Sequence, residues 1–252
     1  MNLLEDMILV QKNTLKKTIK SFGKNWIIIF TSIVYVLINL VAALFVGNLL
    51  RGPLSILSGI ITAIITSSLT SNYLYLLFNV INYNKITYNN FKDGFTQYLW
   101  KVYGIFFIAW IVTYVLSAIS RLFGNNLGIL ITLFSLAAVI LLNALPETLY
   151  QKYYSSSESI QYAFEFIKEN WLNWFIPNVI LLLILYLITG RLILNMFTTH
   201  LSFNMNFDIG SMIRYLIGQS LFSFVMIYRG HLFKLLSTST RRKRMYMKKL
   251  YD

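Results

Sequence analysis

Six long apolar runs constrain this chain more than anything else in it. They cover about Trp26–Leu50, Pro53–Ile81, Val102–Leu122, Leu127–Leu145, Trp171–Ile188 and Met212–Phe233. A helix needs roughly 18–20 residues to cross about 30 Å of hydrocarbon, and each run approaches or exceeds that. Inside lipid every backbone N–H and C=O must be satisfied within the protein, so runs of this length are helices. The reading is an all-α polytopic membrane protein with six transmembrane helices. Charged residues are only 12% of the chain, about half the share of a soluble domain. The spans use more than half of the residues, so 1–252 reads as one integral membrane domain. The first run follows a helical-looking segment and is too long for the apolar part of a secretory signal, so it is expected to remain as the first span.

Charge sets the orientation. Taking segments alternately, one side of the membrane holds 17 of the 22 basic residues. That side carries Lys12, Lys16, Lys17, Lys20 and Lys24 before the first span, and Lys85, Lys92, Lys101, Lys152 and Lys168 in two loops. Lys234, Arg241, Arg242, Lys243, Arg244, Lys248 and Lys249 follow the last span. Basic residues stay on the inner side, so both ends of the chain are expected there, as an even number of spans requires. Frequent Ile, Asn, Lys and Tyr suit an AT-rich genome. The expected location is the plasma (inner) membrane of a low-GC bacterium.

Three segments on the basic side precede odd-numbered spans and look amphipathic. In the first, Leu4, Ile8, Leu15, Ile19, Phe22 and Trp26 form an apolar stripe, with Lys12, Lys16, Lys20 and Lys24 on a neighbouring face. In the third, Ile160, Phe164, Ile167 and Trp171 form the stripe, and Ser155 with Glu158 has capping-box spacing. The two stripes match at the same offsets from their tryptophans, each preceded by an asparagine, Asn25 and Asn170. The middle segment, Tyr88–Trp100, is looser. Trp26, Trp100 and Trp171 are nevertheless evenly spaced and suit interfacial anchors. The pattern predicts three tandem units, each an interfacial helix followed by a two-span hairpin: about 1–84, 85–154 and 155–240, with a basic tail 241–252.

Arg51-Gly52-Pro53 and Gly124-Asn125-Asn126 read as tight turns on the far side. The third far-side connection, about 189–207, is longer and rather apolar. It is expected to extend the fifth helix or lie along the outer interface.

Within the spans a few polar residues stand out. Ser55, Gly59, Ala63, Ser67 and Ser71 place a small residue at every fourth position of the second span. Such rows let helices pack closely, which is the plainer reading here. The alternative is the wall of a polar pathway, with Asn72 and Asn79 toward the basic side. Asn39, in the first span, is expected to hydrogen-bond to a neighbouring helix. Glu147 follows Pro146 at the end of the fourth span, and Arg229 sits inside the last. Their similar depth makes Glu147 the obvious partner of Arg229 in a functional site; the plainer readings are a structural ion pair or an arginine that snorkels to the headgroups. Asp208 and Arg214 are read as interfacial.

The tail run Arg241-Arg242-Lys243-Arg244 resembles a nucleic-acid patch. Directly after a span it reads better as an anchor to anionic lipid headgroups, like the lysines of the first helix. No nucleic-acid partner is expected. His200 and His231 fall on opposite sides of the membrane in this topology. No metal-ligand spacing, Gly-rich phosphate loop or nucleophile with a base is present, so no enzyme activity and no cofactor is expected. There is no cysteine.

Lys24-Asn25-Trp26, Leu145-Pro146-Glu147, Asn170-Trp171 and Tyr228-Arg229-Gly230 carry a resemblance. The layout is similar to uncharacterised six-span proteins of low-GC Gram-positive bacteria, which resemble the membrane domain of some glycerophosphodiester phosphodiesterases. The catalytic domain has no counterpart, so the resemblance implies an all-helical membrane module alone. The N-terminal helix, the six spans and the elaborated fifth-to-sixth connection also resemble permease subunits of ABC-2-type exporters. That resemblance implies a cytoplasmic ATPase partner meeting Phe91–Trp100. The leading functional reading is a non-catalytic transport module or an accessory subunit of a membrane complex. The alternatives are a structural or lipid-sensing membrane protein without a pathway, and the exporter permease.

Overall fold

The computed structural model describes residues 3–49, 55–123, 128–193, 195–202, 209–240, 243–244 and 246. Among these the fold is entirely helical. The helices are α1 Leu3–Lys24, α2 Thr31–Leu49, α3 Ser55–Tyr83, α4 Tyr88–Gln97, α5 Leu99–Phe123, α6 Gly128–Leu141, α7 Leu145–Gln151, α8 Ser156–Thr189 and α9 Ile209–Thr238. Six stretches are long and apolar enough to cross a membrane: Trp26–Asn48, Leu57–Tyr83, Leu99–Leu122, Gly128–Gln151, Ser156–Thr189 and Ile209–Thr238. The chain is a multi-pass membrane protein. The expected turns at 51–53 and 124–126 lie outside the described residues, as do Asp208, Arg241, Arg242, Lys248 and Lys249.

Both described ends lie on one side of the bundle, the terminal side, where α1 packs along α9. The buried face of α1 is not its apolar stripe. Asp6, Val10, Thr14, Thr18, Ser21 and Asn25 face the protein, whereas Leu4, Ile8, Leu15, Ile19 and Trp26 are exposed. Small hydroxyls allow this close contact because they are already satisfied. Thr14 and Thr18 donate to the carbonyls of Val10 and Thr14, each at 2.8 Å, so their burial leaves no polar group unpaired.

At Asn25 the backbone tightens into a 3-10 turn over Trp26–Phe30 before α2 begins. Asn25 Nδ2 donates to Ser21 O at 2.9 Å and faces Asn84 Oδ1 at 3.2 Å. A side-chain amide competing for backbone groups in this way disfavours helix continuation. The third amphipathic segment behaves differently. Asn170 makes the same back-bond, to Phe166 O at 3.1 Å, yet the helix runs straight on through Trp171. The segment expected as a separate interfacial helix is therefore the first part of the single α8. Its predicted capping box is present, with Ser155 N donating to Glu158 Oε2 at 2.8 Å.

The packing is uneven along the membrane normal. On the terminal half, α3 is buried from Ser67 to Ile81 against α2, α4, α5, α7 and α9. On the far half, α3 from Leu57 to Thr66 and α9 up to Ile217 have no buried residue. Two expectations fail for this reason. The small-residue row works as a packing surface only at Ser67 and Ser71. Ala63 is half-buried, and a Cβ on Gly59 would meet nothing within 4 Å; Ser55 has no described side chain. Asn39 continues the buried stripe of Ile28, Ser32 and Tyr35, but the helices have already splayed at its level. It is exposed, without a hydrogen bond to another helix among the described residues.

α4 folds back along α3 and is held there by polar contacts. Thr87 and Asn90 form a capping box that opens it. Ser71 Oγ donates to Gly94 O at 2.7 Å and accepts from Tyr98 N at 2.7 Å. Asn72 Nδ2 donates to Phe91 O at 2.5 Å, while its Oδ1 accepts from Tyr35 Oη at 2.6 Å. Asn79 Oδ1 accepts from Asn90 Nδ2 at 3.2 Å. A Cβ on Gly94 would sit 3.1 Å from Asn72 Cα, so this approach needs glycine. Asn72 and Asn79 thus spend hydrogen bonds on docking α4.

Candidate functional site

The site begins at a break in the fourth span. Pro146 has no N–H, and its ring excludes a straight helix past Leu142. The chain leaves α6, turns through Leu142–Ala144 and restarts as α7, with Leu145 N bonded to Leu142 O at 2.9 Å. The break turns Asn143 into a polar corner. It also buries Glu147, at 1% exposure.

Arg229 fills that corner from α9. Its Nε donates to Glu147 Oε1 at 2.7 Å and its Nη2 to Glu147 Oε2 at 3.1 Å. Nη2 also reaches Asn143 O at 2.7 Å, and Nη1 reaches Asn143 Oδ1 at 3.1 Å. The indole of Trp174 on α8 lies under the guanidinium, 5.0 Å from its ring centroid to Arg229 Cζ, and Trp174 Nε1 donates to Asn143 Oδ1 at 3.0 Å. Arg229 follows Ile209 by twenty residues, which sets the cluster about 30 Å along α9, at the terminal-side edge of the hydrocarbon. A bidentate, stacked arginine is the geometry in which burying a charge pair is least costly. The predicted pairing of Glu147 and Arg229 is present; Asn143 and Trp174 complete it.

From the opposite direction comes the connection between α8 and α9. Its described residues, 190–193 and 195–202, neither extend the fifth helix nor lie along the outer interface. It turns inward between the spans. Gly190 ends α8 with φ 67°, a left-handed cap that glycine takes without strain. Arg191 then bonds to Ser202, through Ser202 O at 2.5 Å and its Oγ, which closes the neck of the loop. Past the neck, Leu201 is buried and its N–H donates to Gln219 Oε1 at 3.0 Å. His200 tilts over Tyr35, ring centroids 6.1 Å apart, and Phe197 meets Phe106 edge-on at 5.3 Å.

At the tip, Thr198 Oγ1 donates to Asn195 O at 2.7 Å and Phe197 N to Asn195 Oδ1 at 2.9 Å. Asn195, Met196 and Thr198 share a cavity of about 40 Å³ with Asn143, Phe222, Met226 and Arg229. Phe222 and Met226 lie roughly 20–26 Å along α9 from its start. Irregular backbone at such depth is tolerated only where protein covers it or where it lines a cavity, and the tip lines one here. The volume has room for one or two waters.

The remaining candidates are dispersed. Trp26, Trp100 and Trp171 are all exposed, as interfacial residues should be, and so are Lys12, Lys16, Lys20 and Lys24. Arg244 is not a surface anchor. It is buried against Asp6, with Nε–Oδ1 at 2.9 Å and Nη2–Oδ2 at 2.8 Å. Lys243 beside it remains exposed. Arg214 is exposed at the start of α9. His231 pairs with Ser21 at 3.0 Å on the terminal side, far from His200. Among the described residues no three His, Asp or Glu side chains converge as metal ligands.

Sequence reading missed Asn143, Trp174, Gln219 and the loop tip. Pro146 was the available signal for Asn143, since a proline late in a span frees carbonyls. The connection 189–207 stood out by its length and apolar character, but nothing in the sequence marked its inward turn. No family model, curated protein or solved structure matches the chain.

Proposed function

We propose that this protein is a transport module of the plasma membrane, with both ends cytoplasmic, passing a small polar solute or ion between the loop 190–202 and the Glu147–Arg229 cluster. One observation carries the reading. An irregular loop enters from the far side and shares a small cavity, in which Asn143, Asn195, Thr198 and Arg229 stand among apolar side chains, with a buried charge pair at a helix break. Broken helices and inserted loops that converge on an ionisable group are how membrane proteins build solute sites at depth. A second feature supports it. Gln219 Nε2, on the side chain that accepts from Leu201 N in the loop, is buried without a protein hydrogen-bond partner, and such a group calls for a polar guest. In this reading the pair is the inner gate and the loop the outer one, with the structure closed at both. The exposed stripe of α1 and its lysines lie on the inner leaflet.

The natural absence of cysteine makes the test clean. Thr198→Cys and Asn195→Cys, in cells, are expected to react with a membrane-impermeant thiol reagent added outside, faster when Arg191→Ala opens the neck. A Leu187→Cys control, on a lipid-facing position, should stay unreactive. No reaction at either loop position with or without the open neck would refute a pathway, leaving a structural or lipid-sensing membrane protein.

A second reading, an ABC-2-type permease subunit, draws on α4. It is a discrete helix whose Lys92, Asp93, Thr96 and Gln97 are exposed. That reading requires co-purification of an ATPase that is lost on charge reversal at Lys92 and Asp93.

A further inference from the structure

On the terminal side, away from the cluster, α1, α8 and the end of α9 enclose a cavity of about 630 Å³. That is within the usual range for a small-molecule site. Its walls are braced. The Asp6–Arg244 pair ties the segment after α9 to α1, and Arg244 Nη1 donates to Ser239 O at 2.6 Å. Gln11 ties α1 to α8 through Asn173 O at 3.1 Å.

The lining carries a definite charge pattern. Asp6 and Arg244 neutralise each other. Glu169 and Lys243 remain, one carboxylate and one ammonium from different walls, both exposed. Around Glu169 the lining is rich in acceptors. Asn170 Nδ2 is spent on Phe166 O at 3.1 Å, which leaves its Oδ1 as an acceptor in the lining, and the last carbonyls of α9 bring the negative end of the helix dipole. A cation that can donate hydrogen bonds suits this side, and an anion suits Lys243. Depth points to the source. Trp171 lines the cavity and is exposed. It lies eighteen residues from Thr189 at the other end of α8, about 27 Å along the helix, which is headgroup level.

We propose that this cavity binds the headgroup of an amine-bearing phospholipid, with the ammonium at Glu169 and Asn170 and the phosphate at Lys243. A choline headgroup has no N–H to give to the Glu169 carboxylate or to Asn170 Oδ1, and a glycerol headgroup brings no cation to Glu169. The site is therefore selective for a primary ammonium. The proposal rests on the membrane architecture and is independent of the transport reading.

The test uses the full chain, purified and delipidated in detergent. Thermal unfolding is followed while short-chain phosphatidylethanolamine, phosphatidylcholine or phosphatidylglycerol is added. The ethanolamine lipid is expected to raise the midpoint by several degrees, at concentrations about tenfold lower than the other two. Glu169→Gln, at an exposed position, should weaken that response about tenfold and leave the phosphatidylglycerol response unchanged. Lys243→Gln should weaken the ethanolamine response as well. Equal responses to all three lipids, a stronger response to the glycerol lipid, or an unchanged Glu169→Gln would overturn the proposal. So would free phosphoethanolamine acting as well as the lipid, which would make the ligand a soluble amine.

Discussion

Gln11 on α1 donates its side-chain amide to the backbone carbonyl of Asn173 on α8, at 3.1 Å. That carbonyl has no helical donor, because the residue four positions on is Pro177. Tyr228 Oη donates in turn to Gln11 Oε1. One side chain thus joins α1, α8 and α9, and it does so at the backbone group a proline has left open. Gln11→Met should lower stability by about 1–3 kcal/mol, the cost of orphaning buried partners. Part of that cost belongs to the freed carbonyl. Pro177→Ala restores an N–H to it, so the loss caused by Gln11→Met should shrink by about 1 kcal/mol in that background. A double-mutant cycle of unfolding midpoints measures this, and strict additivity would contradict it.

Removing one partner of the buried pair should be far worse than removing both. Arg229→Met leaves the Glu147 carboxylate buried and uncompensated, a change that typically costs about 3–5 kcal/mol. Glu147→Leu with Arg229→Met should recover most of the unfolding midpoint, although Asn143 then loses its two bonds from Arg229 and keeps only that from Trp174. The same double variant separates structure from function. If solute flux survives in a well-folded double variant, the pair is a brace and not a gate.

Gly230 and Gly59 should respond oppositely to alanine. A Cβ at Gly230 would lie 2.5 Å from Tyr150 Oη and 2.9 Å from Ile81 Cδ1, so Gly230→Ala is expected to destabilise by about 1–3 kcal/mol. Tyr150→Phe removes the nearer clash and should relieve part of that loss. At Gly59 there is open space, and Gly59→Ala should be neutral or stabilising by up to about 1 kcal/mol. Midpoints of the three variants in one detergent suffice.

The two asparagines on the inner faces of α2 and α3 should also diverge. Asn72 joins Tyr35 to α4 through two bonds. Asn72→Leu orphans a buried tyrosine hydroxyl and a carbonyl, for about 2–3 kcal/mol. Asn39 is exposed on the splayed half, and Asn39→Leu should stay within about 0.5 kcal/mol. Protease cleavage near Lys92 would report α4 coming off its seat in the first variant alone.

Parts of the site were legible because they are local. Glu147 and Arg229 announced themselves as ionisable groups inside apolar runs, and their matched depth named the partnership. Ser155 and Glu158 announced a helix start by spacing alone. Other readings failed at particular residues. Arg244 stood in a basic run, and only the approach of α1 to the end of α9 brought Asp6 to it. The regular row from Ser55 to Ser71 promised packing along its whole length, but a helix row cannot tell where its neighbour diverges.

Length and apolarity by themselves determined six helices in a membrane. Hydrocarbon offers the backbone no partners, so each run has to satisfy its own hydrogen bonds, whatever surrounds it. The tertiary structure alone decided what those helices do to one another. The inward turn of 190–202, the splay of the far half, the unbroken α8 and the seat of α4 depend on helix rotation and crossing. Those follow from contacts between residues far apart in the chain, and no single segment carries them.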